Sequence, residues 1–174
     1  MNVERDPIIN VIYNGFKAPV KLCMENGHER AALTLMYTSI DSMAKFGMPE
    51  TEEKSSRKYF NEWCEKYLVI GGDESINGIE WFAARSGLIH NYTAESGLSK
   101  DGKARMIGYY RGEGSDVKYD PSITEELVMI KIDSLVKAYY DGIDRFIVDI
   151  YANIDHEVLS SRFNKMFHDL KVEE

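Results

Sequence analysis

The chain predicts an all-α fold, an antiparallel helical bundle of five or six helices. Three observations carry this. Apolar residues recur at three- and four-residue spacing over most of the length. Only four prolines interrupt the 174 residues. One segment, near 98–121, gathers glycines and breaks the helical period, which marks it as a short hairpin or loop excursion. The length suits a single domain over 1–174. A domain of this size buries roughly 70% of its unfolded surface, so its core needs neither a disulfide nor a metal.

The elements follow in order. PIINVIYNGFKAPVKLCMEN reads as an N-terminal helix bent near Pro19, whose ring lacks an N–H and crowds the preceding turn. ERAALTLMYTSIDSMAKFG is the clearest early helix. At roughly 100° per residue, Leu33, Met36, Tyr37, Ile40, Met43 and Ala44 share one face, and Gly47 and Pro49 stop it. SSRKYFNEWCEKYLVIGG is a third helix ended by paired glycines, and SINGIEWFAARSGLIHNYTAESGL a fourth, with Ser75 as its expected cap. After the excursion, Val128, Ile132, Leu135, Tyr139, Ile143, Phe146 and Ile150 form one helical stripe, and HEVLSSRFNKMFHDL closes the chain.

The formal net charge of −8 argues against a general nucleic-acid coating protein, because phosphate contacts need lysine and arginine. It leaves room for a small basic cleft, since the field that matters is local. The two cysteines, Cys23 and Cys64, have no CxxC partner and read as free thiols in a reducing compartment. MNVERDPIIN lacks the basic-then-apolar pattern of a secretory leader, and no apolar run is long enough to span a membrane. The expected location is cytoplasmic.

RSGLIHNY places Arg85 five positions ahead of His90, with four residues between them. On a wheel with Ile79 at zero, Phe82, Ala83, Ser86, Ile89 and His90 fall within roughly 80° and read as the core stripe. Trp81, Arg85, Leu88 and Tyr92 fall at roughly 180–240°, a second apolar face that needs either a further helix or a second subunit. Two readings of the histidine stand side by side. In one, His90 is a neutral core residue bonded to Asp41, and Arg85 is a surface arginine on a long stem. In the other, both serve one site. They lie roughly 140° apart around the helix, so they meet only through the arginine stem or across a symmetric dimer.

An arginine, four residues and a histidine on a middle helix of a small helical protein resembles the signature of the HEPN superfamily. WFAARSGLIHNY is similar to its stand-alone bacterial members, and LTLMYTSIDSMAKFG resembles the helix that precedes the motif there, with Asp41 as its polar residue. The polar residue after the arginine, often asparagine in the family, is Ser86 here. The resemblance covers roughly residues 25 to 150. It implies a metal-independent endoribonuclease acting as a homodimer, with Arg85 and His90 catalytic, Ser86 and Asp41 supporting, and the two motifs meeting in an interface cleft. It also suggests a toxin- or defence-type role, with a cognate antitoxin as a conceivable partner. Histidine transfers protons near neutral pH, and a guanidinium fork matches a charged phosphorane. On this reading Trp81, Leu88 and Tyr92 form the dimer seam; a helix of the same chain over that patch explains the wheel equally well. The alternative function is a non-catalytic HEPN-like dimerisation or partner- and nucleotide-binding module, and a third reading is a helical bundle unrelated to the family.

The excursion adds Lys103, Arg105, Arg111 and Tyr109 as candidates for holding single-stranded RNA, by phosphate contact and base stacking. Its acidic residues nearly balance its basic ones, so a solvated hairpin is the competing reading. His28, His90, His156 and His168 are scattered without metal-ligand spacing, so no metal and no cofactor are expected.

Overall fold

The computed structural model describes residues 6–49, 56–72 and 74–167. The helical run from Pro7 has three parts: α1 (Pro7–Val11), a π-helical segment (Ile12–Lys17) and α2 (Ala18–Glu25). Asp6 caps α1, its carboxylate accepting from the Ile8 and Ile9 N–H groups. The widened turns fall just before Pro19, where the Ala18 N–H reaches back to the Tyr13 carbonyl. A proline ring crowds the turn behind it, and a π segment is one way to make room.

Helix α3 (Glu29–Gly47) buries the expected face: Leu33, Met36, Tyr37, Ile40, Met43 and Ala44 all lie in the core. Helix α4 (Ser56–Tyr67) packs on α3, on α5 (Gly78–Asn91) and on α7 (Ile132–Asn153). Trp63 and Tyr67 of α4 pack tilted and edge-on against Phe146 of α7, with centroids 6.1 and 5.7 Å away. Helix α4 ends at Tyr67, before the paired glycines. The cap of α5 is Asn77 rather than Ser75. The Asn77 side chain accepts from the Glu80 N–H, and the Glu80 carboxylate accepts from the Asn77 N–H. A short α6 (Gly97–Lys100) follows, and α8 (His156–Met166) ends the described chain; His168 lies outside it.

The all-α expectation needs correction: the molecule is mostly helical with a small sheet. Its strands are β1 (Met106–Tyr110), β2 (Val117–Lys118) and β3 (Leu127–Lys131), in the order β1-β3-β2. The excursion expected as a hairpin or loop near 98–121 holds β1 and β2, which do not pair with each other: β1 pairs with β3 in parallel and β2 with β3 antiparallel. Residues 127–131 are a strand, not the start of the long helix. There Val128 and Ile130 are buried while Leu127, Met129 and Lys131 are half-buried. A four-residue step from Val128 to Ile132 satisfies both a helical period and two strand repeats, so that spacing does not separate them.

Ala83 is buried as expected, but the large side chains of α5 are reversed relative to the wheel reading. Trp81 and Leu88, 1% and 7% exposed, lie in the core of their own chain. Phe82 and Ile89 are half-buried, Ile79 is 40% exposed and His90 is exposed. A side chain buried within its own fold cannot also form a seam between copies, so the dimer seam on Trp81 and Leu88 does not stand. Tyr92, 53% exposed, lies just past the helix end.

Candidate active site

Asp41 and Arg85 join α3 to α5. The Nε and Nη2 groups of Arg85 both donate to Oδ2 of Asp41, at 2.8 and 2.7 Å. The two side chains are 22% and 23% exposed, so the pair is partly shielded from water. Burial pushes the Asp41 carboxyl above its ordinary range, and the Arg85 hydrogen bond and charge pull it back only in part. The arginine stem then reaches around the helix and brings Nη1 within 3.4 Å of His90 Nε2. Arginine has donors only, so in this contact Nε2 accepts and the ring proton is assigned to Nδ1.

The structure therefore gathers Asp41, Arg85 and His90 at one solvent-facing place. Asp41, expected as the partner of a core His90, takes Arg85 instead, and the buried-histidine reading fails because the imidazole is exposed. Ser86 is half-buried next to Arg85 on α5, and its hydroxyl makes no hydrogen bond to a described residue. Sequence reasoning missed Phe82. Its ring has the Arg85 guanidinium carbon 5.7 Å from its centroid and that of Arg57, on α4, at 5.2 Å. Cys64 lies behind the site, fully buried; burial and then the Asp41 charge push its thiol well up, so it is no nucleophile.

The RNA-binding set expected from the excursion comes apart. Arg105 points inward: its Nε donates to Glu80 at 2.5 Å, its Nη1 to Glu74 at 2.6 Å and its Nη2 to the Ser75 carbonyl. Glu80 is 3% exposed, so this is a buried ion pair that ties the segment before β1 to the start of α5. Tyr109 turns its hydroxyl inward to Tyr37, at 2.5 Å, and burial raises its pKa. Arg111 pairs with Glu29, and exposed Lys103 with Asp101 at 2.9 Å. No spacing in the sequence announces these partners, which lie on other elements except for Asp101.

Among the described residues, no group of three His, Cys, Asp or Glu side chains is placed to hold a metal ion. No described helix is long and apolar enough to cross a membrane. No protein-family model, curated protein or solved structure matches the chain.

Proposed function

We propose that this protein is a metal-independent endoribonuclease of HEPN type, with its site at the Asp41–Arg85–His90 cluster and a homodimer as its working form. The observation that carries the reading is the 3.4 Å approach of Arg85 Nη1 to an exposed His90 Nε2, with Asp41 bracing the guanidinium from the other side. The substrate phosphate takes over the Arg85 guanidinium and frees His90 Nε2, which takes the proton of a 2′-hydroxyl as that oxygen attacks the adjacent phosphorus. The phosphorane gathers negative charge beside Arg85. The bond to the 5′-oxygen then breaks, and a protonated imidazole, from the second copy of the chain, gives that oxygen its proton. The products are a 2′,3′-cyclic phosphate and a 5′-hydroxyl. Asp41 touches no reacting atom; it positions Arg85.

The dimer seam belongs on the α5 face left open by the fold, Ile79, Phe82 and Ile89, next to His90. Cleavage of RNA in excess chelator, lost in both Arg85→Ala and His90→Ala while their folding is retained, is the expected result. Activity unchanged by both substitutions excludes this site.

A second reading is a non-catalytic HEPN-like module that dimerises or binds a partner or nucleotide. The neutralisation of Arg85 by Asp41, on a chain of net charge −8, favours it. Folded wild-type protein that cleaves no RNA would select it. A cytoplasmic location, a toxin- or defence-type role and a cognate antitoxin belong to the first proposal. The free thiols of Cys23 and Cys64 agree with a reducing compartment.

A further inference from the structure

A cleft of about 280 Å³ opens between the start of α3, the end of α5 and β1. Its floor is apolar, from Leu33, Ala84, Leu88 and Ile107. Its size is just below that of pockets for drug-sized ligands and suits a single flat ring system. Three features of its rim bear on what it holds.

The first is Tyr92. It stands in the left-handed region, at φ 57° and ψ 31°, as the sole non-glycine residue with positive φ among those described. The turn itself is an ordinary helix end: the Tyr92 N–H donates to the Leu88 carbonyl and the Thr93 N–H to the Gly87 carbonyl. Glycine makes that turn without strain, whereas a tyrosine pays for it. What tyrosine adds is a half-exposed ring at the cleft. The second is Arg30. Its guanidinium carbon lies 4.9 Å from the Tyr92 ring centroid and its Nη1 donates to the Tyr92 carbonyl at 3.4 Å, while it has no carboxylate partner among the described residues. The third is the free edge of β1. The Met106 N–H donates to the Glu126 carbonyl, and a parallel ladder alternates sides. The peptide groups of Ile107 and Tyr109 therefore turn away from β3, and both residues line the cleft. Ile107 is fully buried, so the half-buried Tyr109 is the one that offers a backbone donor and acceptor to the cleft.

We propose that this cleft seats one nucleobase of a single-stranded RNA, stacked on Tyr92, with its polar edge toward the β1 backbone and its phosphate at Arg30. The assignment rests on the RNA reading above and says how the strand is held. His90 stands two residues before Tyr92, so a base anchored here leads its strand toward the cluster. An aromatic face accepts any base, and the backbone edge selects among them.

The test uses the full chain and a 2′-O-methyl oligoribonucleotide, which lacks the nucleophile and stays intact, with binding read by fluorescence anisotropy. Adenosine 5′-monophosphate serves as competitor. Wild type binds the oligonucleotide. Tyr92→Gly weakens binding about tenfold or more without lowering the melting temperature, because glycine fits the left-handed turn; Tyr92→Phe restores it, and Arg30→Gln weakens it. Displacement by the mononucleotide alone, at low concentration, marks a free nucleotide as the natural occupant and overturns the RNA assignment. No binding by wild type, or equal binding by Tyr92→Gly, overturns it too. RNA cleavage that Tyr92→Gly leaves intact removes this assignment and spares the Asp41–Arg85–His90 reading. Tyr92-dependent binding in a chain that cleaves nothing does the reverse.

Discussion

At the scale of the residue, Asp41 decides how Arg85 behaves. Its carboxyl is held above its ordinary range by burial, so the folded chain binds that proton more tightly than the unfolded chain does. Its contribution to stability is therefore full below the unfolded pKa and is lost as pH rises through the native one. Arg85→Ala takes away the cation that limits this loss. We expect that variant to be about 1–3 kcal/mol less stable than wild type near neutral pH, with the gap narrowing as pH falls through the carboxylate range. Asp41→Asn removes the charge that burial penalises and costs less. Urea denaturation at neutral and acid pH checks both, and a gap for Arg85→Ala that ignores pH contradicts the account. Part of this site was legible in the sequence. The motif residues and Asp41 stood out, and the arginine stem was one expected route from Arg85 to His90. The Asp41–Arg85 pair did not stand out, because a wheel places side chains by their Cβ directions. A guanidinium on a long stem ends well away from where the wheel puts it.

At the scale of the element, α5 depends on glycine inside the motif. A Cβ at Gly87 would sit 2.7 Å from the Glu95 carbonyl oxygen and 2.8 Å from that of Thr93. Replacing glycine by alanine within an open helix gains up to about 1 kcal/mol. Here the sign is reversed: Gly87→Ala lowers the melting temperature and speeds hydrogen exchange across 92–96, since backbone has to move. A more stable variant would show that the 93–95 turn does not pack on α5. Helices α3 and α7 were readable because their apolar periods are long, as from Ile132 to Ile150. β3 was not, because five residues of Val, Ile and neighbours satisfy two periods at once. Nor was the burial of α5. With apolar residues on both sides, its inward face is set by what packs on it, and the ion pair of Arg105 with Glu80 comes from a segment read as a solvated hairpin.

At the scale of the whole molecule, the acidic total hides a local pattern. Arg30 at the cleft and Arg57 over Phe82 carry no carboxylate partner among the described residues, while Asp41 neutralises Arg85. A strand held by so few cations binds weakly, and its affinity falls with salt with a shallow slope. The open face of α5 gives the second prediction at this scale. Ile79→Arg places a charge on an exposed position, so the fold persists; the proposed dimer predicts that this variant sediments as a monomer where wild type does not, and that RNA cleavage falls with it. A dimer untouched by Ile79→Arg moves the seam elsewhere. The most direct measurement uses a DNA oligonucleotide carrying one ribonucleotide, incubated with the protein in excess chelator. The account predicts a single cut after that ribonucleotide, leaving a 2′,3′-cyclic phosphate and a 5′-hydroxyl, and no cut by His90→Ala. An intact substrate with folded wild type, or the same cut by His90→Ala, contradicts it.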